Sequence, residues 1–257
     1  EMCIRDRNKM VDKIFFDNHL DALKECVDLA SDEIMQIYNS DSFGQEEKSD
    51  GSPLTKADKK SNEIILNSLE KISMDIPIIS EETFSEDLIK SLDQTYWLVD
   101  PLDGTKEFIN KTGEFTVNIA MINNKKVIFG IVGAPVTGKI WHGSIFEDVQ
   151  PQNDSFDKLR IVMSKTHKSE KDKAFLNYIE SKNIDYEIIE KGSSLKLCSL
   201  ADNEADIYPR FGPTSEWDIA AAHAVLKQKG GSVIKIRDYE ELAYAKEDSI
   251  PVSYTHL

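Results

Sequence analysis

Residues 97–105, with the sequence WLVDPLDGT, constrain the fold more than any other stretch of the chain. The first residues are apolar and favour a buried strand. We expect this strand to end at Asp100, because the residue before a proline is held extended and proline has no N–H to donate to a strand ladder. Asp100 and Asp103 then flank a turn that leads into a short helix over residues 106–109. Carboxylates beside free backbone N–H groups suit a divalent cation and a phosphate, although two ordinary Asp turns would give the same local sequence.

Charge and length limit the class of protein. The chain has 257 residues, of which 46 are acidic and 31 basic, so its formal charge is −15. This balance argues against nucleic acid or an anionic membrane surface as the main partner. A small anionic substrate remains compatible if metal ions supply the local positive charge.

Cysteine usage and hydropathy predict an intracellular protein. Cys3, Cys26 and Cys198 are widely spaced and odd in number, so neither a disulfide framework nor a zinc site is expected. The sequence has no apolar run long enough to span a membrane and no signal-peptide pattern. We therefore expect a cytoplasmic protein without an integral membrane span, and leave open whether it touches the inner face of the membrane.

Apolar periodicity predicts helices followed by an antiparallel meander in the first half. Helical spacing over residues 11–38 indicates one long helix or two abutting ones, and a second helix runs to about residue 72. The polar run at residues 39–51 is expected to be an exposed loop. Strand patterns are found at residues 77–80, 115–122, 127–132 and 139–146.

Acidic residues follow two neighbouring predicted strands. Glu81 comes directly after the strand at residues 77–80, and Asp100 ends the next strand along the chain. Two adjacent strands can direct both carboxylates to one point. This convergence favours a metal site over a solvated loop.

Beyond residue 150 the pattern changes to alternating strands and helices, as in α/β proteins. The acidic, proline-containing segment at residues 147–157 is the expected boundary between an α+β domain (8–150) and an α/β domain (151–257), with the active site in the cleft between them. Strands are expected at residues 159–163, 184–189, 206–209 and 232–236. Helices are expected at residues 169–180, 194–201 and 217–229.

Several polar residues in these elements have two possible roles. Asp58 and Asp218 each lie in the first turn of a predicted helix, where the helix dipole alone favours a carboxylate. The GSSLK segment at residues 192–196 suits a phosphate through its N–H, O–H and ammonium donors, but a serine cap would look the same. Arg210 lies among aromatic and turn residues, where it can bind a base or a phosphate or simply rest on a ring. Packing roles are expected for His19, His142 and His223.

In order and spacing, these motifs resemble the superfamily of inositol monophosphatases, which are magnesium-dependent, lithium-sensitive phosphatases. Within it they are most similar to the branch of 3'(2'),5'-bisphosphate nucleotidases. The likeness runs from about residue 20 to about residue 249 and is loosest at residues 147–191; residues 1–7 and 252–257 match nothing in the family pattern. The matching stretches are SPLTKAD (52–58), SEE (80–82), YWLVDPLDGTKEFI (96–109), GEFTVNIAM (113–121), GSSLK (192–196), YPRFGPT (208–214) and WDIAAAH (217–223).

The resemblance implies a layered αβαβα sandwich that binds two or three magnesium ions. Ligands of one ion would be Glu81, Asp100 and the backbone carbonyl of Leu102. Ligands of a second would be Asp100, Asp103 and Asp218. Asp58 and Thr105 would orient and activate the attacking water. Substrate contacts are implied for Glu81, Leu102, Asp103, Gly104, Thr105, Gly192, Ser193, Ser194, Lys196, Arg210 and Asp218.

The activity implied by the resemblance is hydrolysis of the 3'-phosphate of 3'-phosphoadenosine 5'-phosphate to AMP and phosphate, as salvage in sulfate assimilation. Paired metal ions can activate a water and stabilise both oxygens of an in-line displacement, so no nucleophilic side chain is needed. One alternative is an inositol- or sugar-monophosphate phosphatase of the same superfamily. Another is a non-catalytic, metal-stabilised binding protein, although the presence of Asp58 and Thr105 weighs against it. The oligomeric state is left open.

Overall fold

The structure is a computed structural model that describes residues 11–40, 44, 46–48, 53–85, 94–150, 157–165, 169–244 and 252–253. Some sequence predictions concern residues outside these ranges. They include the N-terminal tail, part of the loop at residues 39–51, the first residue of the SPLTKAD stretch, and residues 151–156 of the expected domain boundary.

Two helices lead the described chain. Helix α1 (Lys13–Tyr38) is continuous over 26 residues, which settles the choice between one helix and two, and helix α2 (Lys56–Ile72) confirms the second prediction. Between them, β1 (Glu46–Glu47) and β2 (Pro53–Leu54) form an antiparallel pair where a loop was expected. Strands of two residues are too short to show an alternation of apolar and polar residues, so the sequence did not predict this pairing.

A five-stranded mixed sheet forms the centre of the fold. Its order is β3-β4-β5-β6-β7, with one parallel pair, β3 with β4, and three antiparallel pairs. The predicted meander is therefore confirmed, as is the adjacency of the strands that precede Glu81 and contain Asp100. The strands are β3 (Ile78–Ser80), β4 (Thr95–Asp103), β5 (Thr116–Asn123), β6 (Lys126–Ala134) and β7 (Lys139–Ser144).

The prediction that β4 ends at Asp100 is wrong. The strand continues to Asp103 through a bulge. Asp100 pairs with Asn118 and Asp103 pairs with Thr116, so three residue steps on β4 match two on β5, and β4 has one extra residue. A proline is tolerated at a bulge, where its missing N–H costs no ladder bond. In a regular strand, residues three apart point to opposite faces. Because of the extra residue, Asp100 and Asp103 instead lie on the same face of the sheet, as do their partners Asn118 and Thr116.

Strands and helices alternate in the rest of the chain as expected, but fewer of the predicted strands are paired. Two strand predictions, at residues 206–209 and 232–236, are wrong: Ile207 and Ile234 each form only an isolated bridge. Near Ile207, the Asp206 carboxylate accepts the Arg160 N–H, which takes the place of a longer ladder. The elements are the short α3 (Thr105–Ile109), β8 (Leu159–Met163), α4 (Glu170–Ser181), β9 (Tyr186–Glu190), α5 (Leu195–Ala201), β10 (Pro213–Thr214), α6 (Glu216–Gln228) and β11 (Val252–Ser253).

Helices cover both faces of the central sheet, which confirms the α/β class. On one face, Leu23 of α1 and Ile65 of α2 share a buried cluster with Val99 and Ile119. The opposite face buries Leu98 and Ala120 against residues of α5 and α6. This second cluster joins residues from both sides of the expected domain boundary, and the boundary itself stays a prediction. No helix among the described residues is both long and apolar enough to cross a membrane.

Helix α6 lies unusually close to the sheet because of a pair of glycines. Gly130 of β6 and Gly143 of β7 are cross-strand partners beneath the helix. A Cβ added at Gly130 would lie 2.7 Å from Ala221 Cα, and one added at Gly143 would lie 2.7 Å from Val225 Cα. Side chains on this pair would therefore push the helix outwards.

We expect Gly130→Ala to lower the free energy of unfolding by about 1–3 kcal/mol, since overpacking a dense core forces backbone shifts. Urea unfolding measures this change. Gly212→Ala is the matched control, because no atom lies within 4 Å of a Cβ there. The control should change the free energy by less than about 0.5 kcal/mol. Equal effects of the two substitutions would contradict the close approach.

Candidate active site

The ends of β3 and β4 bring the first two predicted carboxylates together. Glu81 opens a short 3-10 helix directly after β3, and Asp100 lies at the bulge of β4 with only 1% of its surface exposed. Each of the two carboxyl groups affects the pKa of the other. Lys48 contacts Glu81 and its neighbour Glu82, with its Nζ 2.7 Å from Glu81 Oε1 and 2.7 Å from Glu82 Oε1.

The GSSLK segment fixes Asp103. The backbone N–H of Ser194 donates to Asp103 Oδ2 at 2.6 Å. The Ser194 hydroxyl is 2.8 Å from Asn118 Oδ1 and 2.7 Å from the Thr116 hydroxyl, on the strand that pairs with the bulge. The alternative role as a side-chain cap of α5 is not what the structure shows, because Ser194 makes no such bond to the helix.

Asp218 both caps a helix and points into the site. Its Oδ2 accepts the Ser215 N–H at 3.1 Å and the Thr214 hydroxyl at 2.9 Å, in a capping box at the start of α6. Its charge also acts on Glu81, Asp100 and Asp103. The capping role is therefore confirmed, while the role of Asp218 as a metal ligand stays a prediction.

The clustered carboxylates hold their protons more tightly than usual. Burial raises the pKa of Asp100 well above its ordinary value, and the charges of Glu81 and Asp103 add to the effect. Burial, followed by the charge of Asp218, raises the pKa of Asp103 to about 8. Burial also raises the pKa of Glu81 and of Asp218, against the opposing influence of nearby hydrogen bonds and cations. Like charges in low dielectric oppose ionisation unless a cation accompanies them.

Asp58 and Thr105 form the predicted pair. Asp58 Oδ2 accepts the Thr55 N–H at 2.7 Å and the Thr55 hydroxyl at 2.6 Å, which starts α2. Its other oxygen, Oδ1, lies 3.0 Å from the Thr105 hydroxyl, which is also 3.3 Å from the Leu102 carbonyl oxygen. Burial raises the pKa of Asp58, and the hydrogen bonds from Thr55 and Thr105 oppose that rise. One oxygen thus caps the helix while the other serves the site.

A pocket of about 640 Å³, counted to its open mouth, extends from these residues. Asp103, Gly104 and Asp218 line it, and so do two cationic side chains, Lys196 and Arg210. Lys196 is 93% buried by neighbours, with its Nζ 5.6 Å from the centre of the Tyr208 ring.

Sequence reasoning missed three contributors. Lys48 lies in a stretch that has no motif, so nothing marked it. Glu107 also lines the pocket, although it lies inside the longest matching stretch. Asn118 did leave a signal, since it is a polar residue within an apolar strand. Two of the histidines make contacts that fit a packing role: His19 bonds to the Phe15 carbonyl, and the buried His223 bonds to Tyr244.

The sequence pattern of the inositol monophosphatase family matches residues 17–254. This chain belongs to that family. A relative from Escherichia coli O6:H1, the 3'(2'),5'-bisphosphate nucleotidase CysQ, is 40% identical over 223 residues, which cover 83% of this chain and 89% of the relative. The enzyme of the same name from Buchnera aphidicola is 40% identical over 213 residues, or 78% of each chain.

Solved structures agree with this membership. CysQ from Bacteroides thetaiotaomicron, a bacterial member of the family, superposes with a TM-score of 0.79 at 32% identity and covers 92% of this chain and 96% of its own. An IMPase from Thermotoga maritima matches with a TM-score of 0.71 at 20% identity, over 91% and 90% of the two chains, and shows the shared fold.

The family is generally magnesium-dependent, and the donor set fits that ion. Carboxylates and a backbone carbonyl are the hard oxygen ligands that magnesium prefers, and a cation would offset the repulsion among the buried acids. In the described residues, no three acidic, histidine or cysteine side chains are already drawn together at coordination spacing. Donors such as Lys48 on Glu81 and Ser194 on Asp103 hold the oxygens in their present places.

We expect stability measured in EDTA to fall as the pH rises from 4 to 8. Asp103 keeps its proton in the folded state up to about pH 8, whereas in the unfolded chain it loses it near pH 4. The unfolded state binds fewer protons in that window, so the free energy of unfolding decreases with pH. Urea unfolding at several pH values measures the slope. Asp103→Asn should show a shallower slope, and an unchanged slope would contradict the assignment.

Proposed function

We propose that this chain is a magnesium-dependent 3'(2'),5'-bisphosphate nucleotidase that converts 3'-phosphoadenosine 5'-phosphate to AMP and phosphate. The CysQ relatives, which carry that name, support the proposal at 39–40% identity over most of the chain. The observation that carries it is the presence of two cations beside the carboxylates. Lys196 and Arg210 line the same pocket as Asp103 and Asp218, which suits a substrate with two phosphates.

Metal ligands in this proposal are Glu81, Asp100, the Leu102 carbonyl, Asp103 and Asp218. When bound, magnesium lowers the pKa of a coordinated water and stabilises the charge on the entering and leaving oxygens. The chain contributes the placement of these oxygens. Ser194 and Thr214 already orient two of them through hydrogen bonds of 2.6 Å and 2.9 Å.

The pair of Asp58 and Thr105 positions the attacking water. The Thr105 hydroxyl donates a hydrogen bond to Asp58 Oδ1, so its oxygen can accept a hydrogen bond from the water. As the water attacks phosphorus, Thr105 Oγ1 takes one water proton and passes its own proton to Asp58 Oδ1, while Oδ2 stays fixed by Thr55. Backbone N–H groups at Gly104 and Thr105 are the expected donors to the scissile phosphate.

In this proposal Lys196 provides the charge for the 5'-phosphate, assisted by the Ser193 and Ser194 hydroxyls. Arg210, which is held by its Nη2 bond to the Pro213 carbonyl at 2.8 Å, binds the base end through its planar guanidinium. Lithium inhibition and a place in sulfate assimilation belong to the same proposal, with support from family membership.

Phosphate release from a panel of substrates tests the proposal. The panel contains 3'-phosphoadenosine 5'-phosphate, 3'-AMP, inositol 1-phosphate and fructose 1,6-bisphosphate, each with magnesium and with EDTA. We expect magnesium-dependent release that is fastest from the bisphosphate nucleotide. Thr105→Val keeps the side-chain shape without the hydroxyl, so loss of release in this variant assigns the activity to this site. A preference for inositol or sugar phosphate would instead favour the sister phosphatases of the family.

We expect Lys196→Met to reduce kcat/KM for the bisphosphate by about 10-fold to 150-fold, the effect of losing a charge-assisted hydrogen bond. Methionine keeps the buried stem, so the packing against Tyr208 is retained. Hydrolysis of 3'-AMP should change little, because its single phosphate lies at the carboxylates. Parallel assays of the two substrates measure the difference.

Lys191→Met is the matched control for the lysine prediction. Lys191 lies one residue before the GSSLK segment and pairs with Glu204 outside the pocket. The control should preserve both rates. An equal loss on both substrates in Lys196→Met would assign the lysine to the carboxylate centre or to the fold.

A further inference from the structure

Glu107 is a pocket residue that the proposed mechanism does not use. It lies in α3, two residues after Thr105, and its side chain is held between two glycines. A Cβ added at Gly192 would lie 3.0 Å from Glu107 Cγ, and one added at Gly104 would lie 3.4 Å from Glu107 Oε2. The absence of both Cβ atoms therefore gives the glutamate room to direct its carboxylate along the pocket wall beside Gly104.

The Glu107 carboxylate has no counterion among the described residues. The cations of the pocket, Lys196 and Arg210, have other contacts, with the Tyr208 ring and the Pro213 carbonyl. Nearby Lys165 pairs with Glu114 at 2.7 Å. A half-buried carboxylate in a pocket must find a donor when the pocket fills, since desolvation without a hydrogen bond is costly.

The chemistry of the substrate limits which donor this can be. A phosphate oxygen accepts hydrogen bonds and repels a carboxylate, so Glu107 cannot face either phosphate directly. The scissile phosphate is expected at Gly104 and Thr105, next to Glu107. On a ribose, the carbon adjacent to the one that bears this phosphate carries a hydroxyl, which is a hydrogen-bond donor.

We infer that Glu107 accepts a hydrogen bond from the ribose hydroxyl vicinal to the scissile phosphate, and thereby makes the site selective for ribonucleotides. The inference rests on the proposed nucleotidase function and deepens it. A site built to bind a hydroxyl strongly rejects the analogue that lacks one, because its buried acceptor is then left unpaired. The carboxylate also repels any anionic group other than the two substrate phosphates from this part of the pocket.

The test compares two substrates that differ in one hydroxyl: adenosine 3',5'-bisphosphate and 2'-deoxyadenosine 3',5'-bisphosphate. The wild-type protein should prefer the ribose form by about 10-fold to 150-fold in kcat/KM, as expected for a hydrogen bond to a charged group. Glu107→Ala should lose this preference chiefly through slower turnover of the ribose form. Its rate on the deoxy form should stay within about threefold of wild type.

Two further variants separate recognition from folding. Glu107→Gln keeps the shape and a neutral acceptor oxygen, so its preference should lie between those of wild type and Glu107→Ala. Lys106→Ala removes the exposed neighbouring side chain on α3 and should leave both rates and the preference unchanged. Thermal unfolding of each variant shows whether a lost rate reflects lost structure.

The outcomes are distinct. Loss of the ribose preference in Glu107→Ala, with the deoxy rate retained, supports the inference. Equal losses on both substrates, or an unchanged preference, overturn it while leaving the nucleotidase function in place. Failure of the wild-type protein to hydrolyse either bisphosphate overturns the proposed function, and the inference with it.

Discussion

The close contact between helix α6 and the central sheet is the constraint on which the site depends. Gly130 and Gly143 let the backbone of the helix approach the strands directly. The first turn of the same helix carries Asp218, which must reach the carboxylates at the end of β4. Because the helix is rigid, its depth on the sheet sets the reach of that aspartate. Packing far from the pocket thus decides whether the acidic cluster is complete.

The cluster itself opposes folding. Asp100 is fully buried among like charges, which raises its pKa, and neighbouring donors offset only part of the cost. Such strain is common at functional sites and is balanced by packing elsewhere in the molecule. Here the balance comes from two large buried clusters on either side of the sheet. A bound cation would then reverse the sign of the local electrostatics.

Sequence reasoning recovered the helices and the meander because long apolar periods are strong signals. It also placed the strand that precedes Glu81 next to the strand that contains Asp100, as the structure shows. It could not predict the bulge at Pro101, because a proline in a sequence predicts the end of a strand. Only the pairing of Asp103 with Thr116 on β5 shows that the strand continues beyond the proline. Lys48 stayed hidden because its partners Glu81 and Glu82 lie more than thirty positions further along the chain. The strand beside it stayed hidden because two residues are too few to give a sequence period. Motif likeness indicated the site residues, whereas their hydrogen-bond partners required coordinates.

Asp58 shows how one carboxylate can serve both the fold and the site. Its Oδ2 receives two hydrogen bonds from Thr55 at the start of α2, so the direction of Oδ1 towards Thr105 is set when the helix forms. The orientation of this pair, which we propose positions the attacking water, is therefore complete before any substrate arrives. The free-energy cost of orienting these two side chains is therefore met during folding and does not recur in each turnover. The helix start acts as permanent preorganisation of the reacting group.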